Sequence, residues 1–400
     1  MATATDLRPE RVGSRFGLWV VTAVLGLFLF AAGAPTPLYG MYAARWGFTP
    51  ATLTVIFAVY AVALLATLLV TGSLSDAVGR RPVILAALAL QSLSMVAFLV
   101  ADGLGWLFVA RIGQGVATGL VTAAVAAALI DHQPANRPGL GPLLNAVTPM
   151  LGLAFGSLVA GALVQYAPHP LRLVYALMLA GFVLLAVAML RVPESVAERR
   201  PVDLHPRIGV APETRAMFWV ALPCIVACWA LGGLFLSLGP SLIRQLGHST
   251  NHLLGGATAF ALCAAGALAG VLVRGWTSHR AMLTGCALLV AGLVIAVTAI
   301  TTAHVVLLLV GSVVAGAGFG AAFLGAFRTL VVAADPARRG ELIAALYVVA
   351  YLAFSLPAVV AGLLTTRVGL RATSVGYAVV VAMLAACSIA AAARRQRRTG

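Results

Sequence analysis

Few residues in this chain could do chemistry, and they fall into small groups. Arg111 sits inside a long apolar run and is followed by Gln114, Thr118 and Thr122. Spacings of 3, 4 and 4 put the four on one helix face. A guanidinium in hydrocarbon is costly, so this face should point into a bundle interior or a wet cavity, where it can meet a solute or a coupling ion. The plainer role is to bond neighbouring carbonyls and fix packing. A second group occupies one polar loop, Gly72-Ser73-Leu74-Ser75-Asp76-Ala77-Val78-Gly79-Arg80-Arg81-Pro82. There Asp76 can pair with Arg80 or face the positive N-terminus of another helix. Gly72 allows close helix approach, and Gly79 can supply the positive φ of a tight turn. A third group, Gly152, Gly156, Ser157 and Gly161, reads as small-residue helix packing.

Aromatic residues add candidate solute contacts. Tyr39, Trp229, Phe319 and Phe323 are the positions considered, the last two in a four-residue repeat with Phe327 that suits either an apolar pocket or a lipid face. Tyr39, Tyr42 and Trp46 together read more readily as an interfacial belt.

What is missing is as informative. All eleven carboxylates fall in loops or at the ends of apolar runs, Asp131 among them. No His cluster or converging nucleophile and base lies within the runs, so an intramembrane enzyme is a remote reading. A channel would need a polar ring. The five cysteines all lie in apolar runs, which disfavours a disulfide or zinc framework; Cys224 and Cys228 share a helix face and read as packing. Every basic residue is Arg, and without Lys neither a Walker A loop nor a pyridoxal phosphate linkage can be built. No cofactor, metal or ATP is therefore expected. The arginines form no stripe, so nucleic acid is not an expected partner.

The elements that must position these groups follow from composition. Of 400 residues, 62% are hydrophobic and 9% charged, with mean hydropathy +1.04. Only a bilayer can solvate that much apolar surface. Apolar runs predict twelve spans, at about 17–40, 51–73, 82–101, 105–130, 142–166, 172–192, 216–239, 251–273, 281–302, 304–330, 341–365 and 372–393. The fold class is thus all-α integral membrane. The Pro-rich connection before span seven divides it into an N-terminal six-helix bundle (1–192), a linker (193–215) and a C-terminal six-helix bundle (216–400).

Arginine placement predicts topology. Nineteen arginines, including Arg394, Arg395, Arg397 and Arg398, lie on the side of the termini, and five lie opposite: Arg45, Arg172, Arg244, Arg367 and Arg371. The positive-inside rule then puts both termini in the cytoplasm. The sequence also repeats. Gln114 to Gly119 aligns with Ala315 to Gly320, Pro134-Ala135 with Pro336-Ala337, and Val159-Ala160-Gly161 with Val360-Ala361-Gly362, all near an offset of half the chain. Gly72 has its counterpart in Gly270, where Arg274 replaces the aspartate. Two duplicated halves about an axis normal to the membrane are one transporter design, with solute bound between them at mid-depth.

Three motifs carry a family resemblance. The Gly72–Arg81 loop resembles the G-x-L-x-D-x-x-G-R-R/K loop of the major facilitator superfamily, in its required place after the second span. Arg111 and Gly115 resemble the family's R-x-x-x-G pattern in span four. Gly152 to Gly161 resembles the G-x-x-x-G-P-x-x-G-G signature of its exporter branch, departing at Ser157 and Ala160. The resemblance implies a conformational latch of Gly72, Asp76, Gly79, Arg80, Arg81 and Asp131, with Asp76 facing the start of span eleven near Gly340. It also implies a cavity between spans one, four, seven and ten, and a monomer exporting a drug-like solute by alternating access against protons; the alternative is an uptake symporter or uniporter. With no mid-span carboxylate and with Arg111 present, neutral or weakly acidic solutes are expected over permanent cations.

Overall fold

The computed structural model describes residues 14–196, 201, 204–206, 208–247, 251–335 and 338–399. Arg8, Arg11, Arg199, Arg200 and Arg207 of the charge pattern, and Pro336-Ala337 of the repeat, lie outside them, as do the side chains of Arg394, Arg395, Arg397 and Arg398. The described chain is helical throughout and contains twelve helices long and apolar enough to cross a membrane.

In the N-terminal half these are α1 (Arg15–Gly33) with its continuation α2 (Pro35–Trp46), α3 (Pro50–Thr71), α5 (Arg80–Leu99), α6 (Leu104–His132), α7 (Leu140–Tyr166) and α8 (Pro170–Met189). A short helix α4 (Leu74–Val78) fills the loop after α3. In the C-terminal half they are α9 (Pro212–Ser237), α11 (His252–Leu272), α12 (Ser278–Thr302), α13 (Val305–Ala333), α14 (Arg339–Val368) and α15 (Leu370–Thr399), with a separate helix α10 (Gly239–Gly247) after α9.

Two predicted spans are broken near the same end of the bundle. Span one is longer than expected and is interrupted at Ala34, because Pro35 and Pro37 remove two backbone donors. Span seven stops at Ser237, and Gly239-Pro240 starts α10. Pro149, Pro223 and Pro357, by contrast, sit inside continuous helices, where neighbours can satisfy the freed carbonyls.

The halves repeat one packing scheme. The second span packs on the fourth, the third on the fourth and sixth, and the first on the fifth and sixth; α11, α13, α12, α15, α9 and α14 reproduce this order. Glycine explains the closeness. A Cβ on Gly115 or Gly119 of α6 would strike the carbonyls of Tyr60 and Leu64 in α3. A Cβ on Gly316 or Gly320 of α13 would strike those of Leu262 and Gly266 in α11. The repeated sequence is thus a repeated backbone contact. Each half also has its own buried apolar cluster, one around Phe28, Phe98 and Tyr175, the other around Leu289, Phe235 and Ile243.

The halves meet through α7 against α11 and α3 against α14. The closest approaches lie at the end away from the Gly72–Arg81 loop, here termed the far end. A Cβ on Gly256 would meet the Ser157 carbonyl, and one on Gly161 would lie 2.9 Å from that of His252. Gly362 abuts the Thr54 side chain, and Gly40 of α2 abuts the Arg244 guanidinium of α10. The backbone N–H of His252 donates to Gln165 Oε1 at 2.9 Å, a hydrogen bond from one half to the other.

Candidate functional site

Helix α6 links the two groups of polar residues. Arg111 and Asp131 are 20 positions apart on it, or about 30 Å along the axis. They are therefore two sites on one rigid element, not one site.

At the loop end, called the near end, Asp76 on α4 pairs with Arg80 Nη1, which also donates to Ser75 Oγ at 2.8 Å. Arg80 Nε reaches Asp131 Oδ2 at 3.4 Å, and Ser195 Oγ donates to that oxygen at 2.7 Å. Gly79 has φ +116, so the turn does require a glycine there. Sequence reasoning missed Glu194. Its carboxylate accepts the backbone N–H groups of Arg80 at 2.9 Å and Arg81 at 3.0 Å, capping α5 from after the sixth span. No local pattern signals a cap supplied from 114 residues away.

The loop's expected cross-half partner is not what these contacts join. Among the described residues the bonds of Asp76, Arg80, Asp131 and Glu194 stay within the N-terminal half, and the space beside Gly340 is open. Gly72 differs from expectation as well. It adopts ordinary helical φ, and a Cβ there would meet only Leu68 of its own helix, so no neighbouring helix needs the glycine. In the second half, Arg328 Nη1 donates to the Arg274 carbonyl at 2.8 Å and Arg280 lies over the Trp276 ring at 4.3 Å.

In the far half of α6, Arg111 is 1% exposed. It donates to Gln114 Oε1, whose amide in turn donates to the Ala31 carbonyl at 2.8 Å, just before the break in span one. Its guanidinium lies 4.2 Å from the Tyr60 ring centroid. Its Nε and the hydroxyl of buried Tyr39 have no hydrogen-bond partner. Thr118 and Thr122 donate back to the carbonyls of Gln114 and Thr118 at 2.8 and 2.6 Å. Among the described residues no carboxylate lies at this depth, and no group of His, Cys, Asp and Glu could hold a metal ion.

Facing this polar corner across the halves is an aromatic wall. Trp229 lies 5.1 Å from Tyr351, 5.9 Å from Phe323 and 6.0 Å from Phe354. Phe323 stacks on Phe319 at 6.1 Å, and Phe354 meets Phe57 of the other half at 4.8 Å. Tyr351 packs beside Tyr60, which carries the Arg111 guanidinium. The buried Trp229 Nε1 has no partner. Phe319 and Phe323 therefore join the bundle interior rather than a lipid face. Tyr39 and Tyr42 are each 2% exposed, so they are interior residues and not an interfacial belt. Spans two and eleven contribute to this region, beyond spans one, four, seven and ten. The signal was present in Tyr347, Tyr351 and Phe354, at helical spacing on span eleven.

The small residues of span five have separate partners. Gly152 and Gly156 lie against the backbone of α1 near Gly26 and Phe30, and Gly161 against α11. Ser157, where the exporter signature has proline, donates to the Gly33 carbonyl at 3.1 Å beside the break in span one. Cys224 lies 3.6 Å, sulfur to sulfur, from Cys286 and packs against the α13 backbone.

Known proteins share this fold. The sequence model of the Major Facilitator Superfamily matches residues 18–356. An uncharacterised MFS-type transporter, YhjO of Bacillus subtilis (strain 168), is 29% identical over 187 residues, 46% of this chain and 42% of the relative, so the match spans less than half of that protein's length. Among solved structures, a bacterial homologue of the human lysosomal transporter Spinster, inward-facing and unoccupied, superposes with TM-score 0.77 at 16% identity, covering 96% of this chain and 97% of that one. The human organic anion transporter MFSD10 superposes with TM-score 0.64 at 16% identity, covering 95% and 100%. These likenesses establish the fold. With the family's own model matching most of the sequence, this chain belongs to the Major Facilitator Superfamily and is a multi-pass membrane transporter rather than an enzyme.

Proposed function

We propose that the protein exports a small neutral or weakly acidic amphiphile by alternating access, driven by the proton gradient, as a monomer in the cell membrane with both termini cytoplasmic. One observation carries the substrate class: a buried arginine faces an aromatic wall, with no carboxylate at its depth among the described residues. An apolar solute can stack on Trp229, Tyr351 and Phe323 while an acidic or polar group meets the free Nε of Arg111, the Tyr39 hydroxyl or Trp229 Nε1. A permanent cation would find no counter-charge, and its desolvation penalty of several kcal/mol exceeds the ~2 kcal/mol that aromatic faces return. The far-end closure supports an inward-facing state, the state named for the Spinster homologue. The near-end loop is then a latch at rest, which would engage span eleven when the halves rock the other way. Asp76 and Asp131, the carboxylates that share Arg80, or the protonated substrate itself, carry the proton, since a guanidinium does not release its own.

The test is efflux from energised cells expressing the protein, comparing a neutral or weakly acidic antibiotic with ethidium and tetraphenylphosphonium. Energy-dependent efflux of the first, abolished by an uncoupler, is expected. Efflux of the cations alone would overturn the substrate class. Accumulation only in right-side-out vesicles would overturn the direction. A C-terminal fluorescent protein fusion should be bright and an alkaline phosphatase fusion inactive.

A further inference from the structure

At the far end of the N-terminal half, a pocket of about 410 Å³ lies between the ends of α2, α5 and α8. Its walls include Tyr42, Arg45, Trp46, Phe98, His169 and Arg172. Tyr42 and Trp46 are stacked, 4.9 Å between ring centroids at 13°, and Phe98 is stacked on Tyr175 behind it at 4.4 Å and 4°. The hydroxyls of buried Tyr42 and Tyr175 have no hydrogen-bond partner. His169, before the first turn of α8, holds a left-handed backbone at φ +49, a strained conformation for a side chain of its size. The N-terminus of α8 faces the pocket through Pro170, Leu171 and Arg172 and adds its positive dipole end.

Arg45 and Arg172 are both exposed at the mouth of this pocket. Only five arginines lie on the far side, and two of them line this one pocket. Among the described residues neither Arg45 nor Arg172 forms an ion pair, and Asp102, next to the lining residue Ala101, does not take either one. Two unpaired guanidinium groups, a helix N-terminus and stacked aromatic rings at a helix-bundle rim have a matching ligand chemistry. Guanidinium binds phosphate or carboxylate through parallel hydrogen bonds, and interfacial Trp and Tyr hold the adjoining apolar chain. We propose that this pocket is a binding site for an anionic amphiphile, with its phosphate or carboxylate head between Arg45 and Arg172 and its apolar part on Trp46 and Phe98. The proposal stands whether or not the proposed substrate is right.

The experiment is native mass spectrometry of the full-length protein in nonionic detergent, titrated with phosphatidylglycerol or phosphatidylcholine. A one-to-one phosphatidylglycerol adduct should form at about tenfold lower lipid concentration than the phosphatidylcholine adduct. The double variant R45Q/R172Q should lose that preference. The double variant R367Q/R371Q, altered on the same side but outside the pocket, should keep it. If R45Q/R172Q fails to fold, the single variants Arg45→Lys and Arg172→Lys keep charge, lose the planar fork and should each weaken the preference. Inorganic phosphate distinguishes the sources of the head group. An adduct that survives millimolar phosphate identifies a lipid ligand. Displacement by phosphate identifies a soluble organic anion using the same arginines. Equal binding of the two lipids by the unaltered protein, or a preference that survives R45Q/R172Q, would overturn the proposal.

Discussion

In the N-terminal half, α6 presses Gly115 and Gly119 onto the carbonyls of α3. In the C-terminal half, α13 presses Gly316 and Gly320 onto those of α11, in the same order. A few residues earlier on the same two helices the halves part. The offset of 201 that aligns the glycines places Ser312 opposite Arg111. Both are fully buried, but Ser312 only returns its hydroxyl to the Leu308 carbonyl at 2.8 Å, whereas Arg111 holds Gln114 and Tyr60 and keeps one donor free. One half brings the charge and the other the aromatic wall. The difference shows which parts of a duplicated fold can specialise. A backbone contact tolerates only glycine, while a side chain facing the middle is constrained by whatever passes through.

The sharpest way to break the comparison is to attack the shared part. Gly316→Leu and Gly115→Leu should each abolish folded protein in membranes, since overpacking costs typically ~1–3 kcal/mol even where the backbone is not struck. Size-exclusion yield in detergent measures it, and a normal yield from either would end the claim of equivalence. Gly270→Ala, with open space beside it, should leave the yield unchanged.

Next comes the part that differs. Arg111→Ala should abolish transport with normal insertion, and Arg111→Lys should impair it, because an ammonium lacks the planar fork that meets Gln114 and lies over Tyr60. Ser312→Ala should transport normally. Loss of transport in both alanine variants would mean that the halves share the chemistry after all.

A smaller effect is expected at the near end. Asp76→Asn removes the charge that holds Arg80, a half-exposed ion pair worth about 0.2–1 kcal/mol. Transport should fall strongly at normal expression. In the second half Arg274→Gln should have little effect, since the carbonyl of that residue, not its side chain, carries its hydrogen bond from Arg328. The smallest effect belongs to the cap. Glu194→Ala should destabilise the α5 start by about 1 kcal/mol, read as a lower melting temperature in detergent with transport partly retained.

Several of these features were legible in the residues alone, for identifiable reasons. Spans read clearly because charge is excluded from lipid, and the repeat read clearly because it was glycine that repeated. The turn at Gly79 read correctly from its loop. Facing was not legible. In a bilayer the lipid side of a helix is as apolar as its packed side, so no hydrophobic period separates Tyr39, buried, from Trp19, exposed. That is why Tyr39 and Tyr42 looked like a belt and why Tyr60 and Tyr351 went unnoticed beside Arg111. Gly72 failed for the opposite reason, since a glycine read as a contact has no neighbour in this conformation.

The far-end seam between α7 and α11 has one more consequence. At Gly161 and Gly256 the two halves touch with almost nothing but main chain between them. A contact of that kind has no room for refinement. Every substitution at Gly256 adds atoms where the Ser157 carbonyl already sits, so inherited variation can move the seam in one direction only, towards an easier opening. The charged near end has no such floor and ceiling. Arg80, Asp131 and Glu194 can be strengthened or weakened by small steps. Descendants of this protein would therefore adjust how often it turns over by changing the end that carries charge, while the glycines at the other end stay as they are.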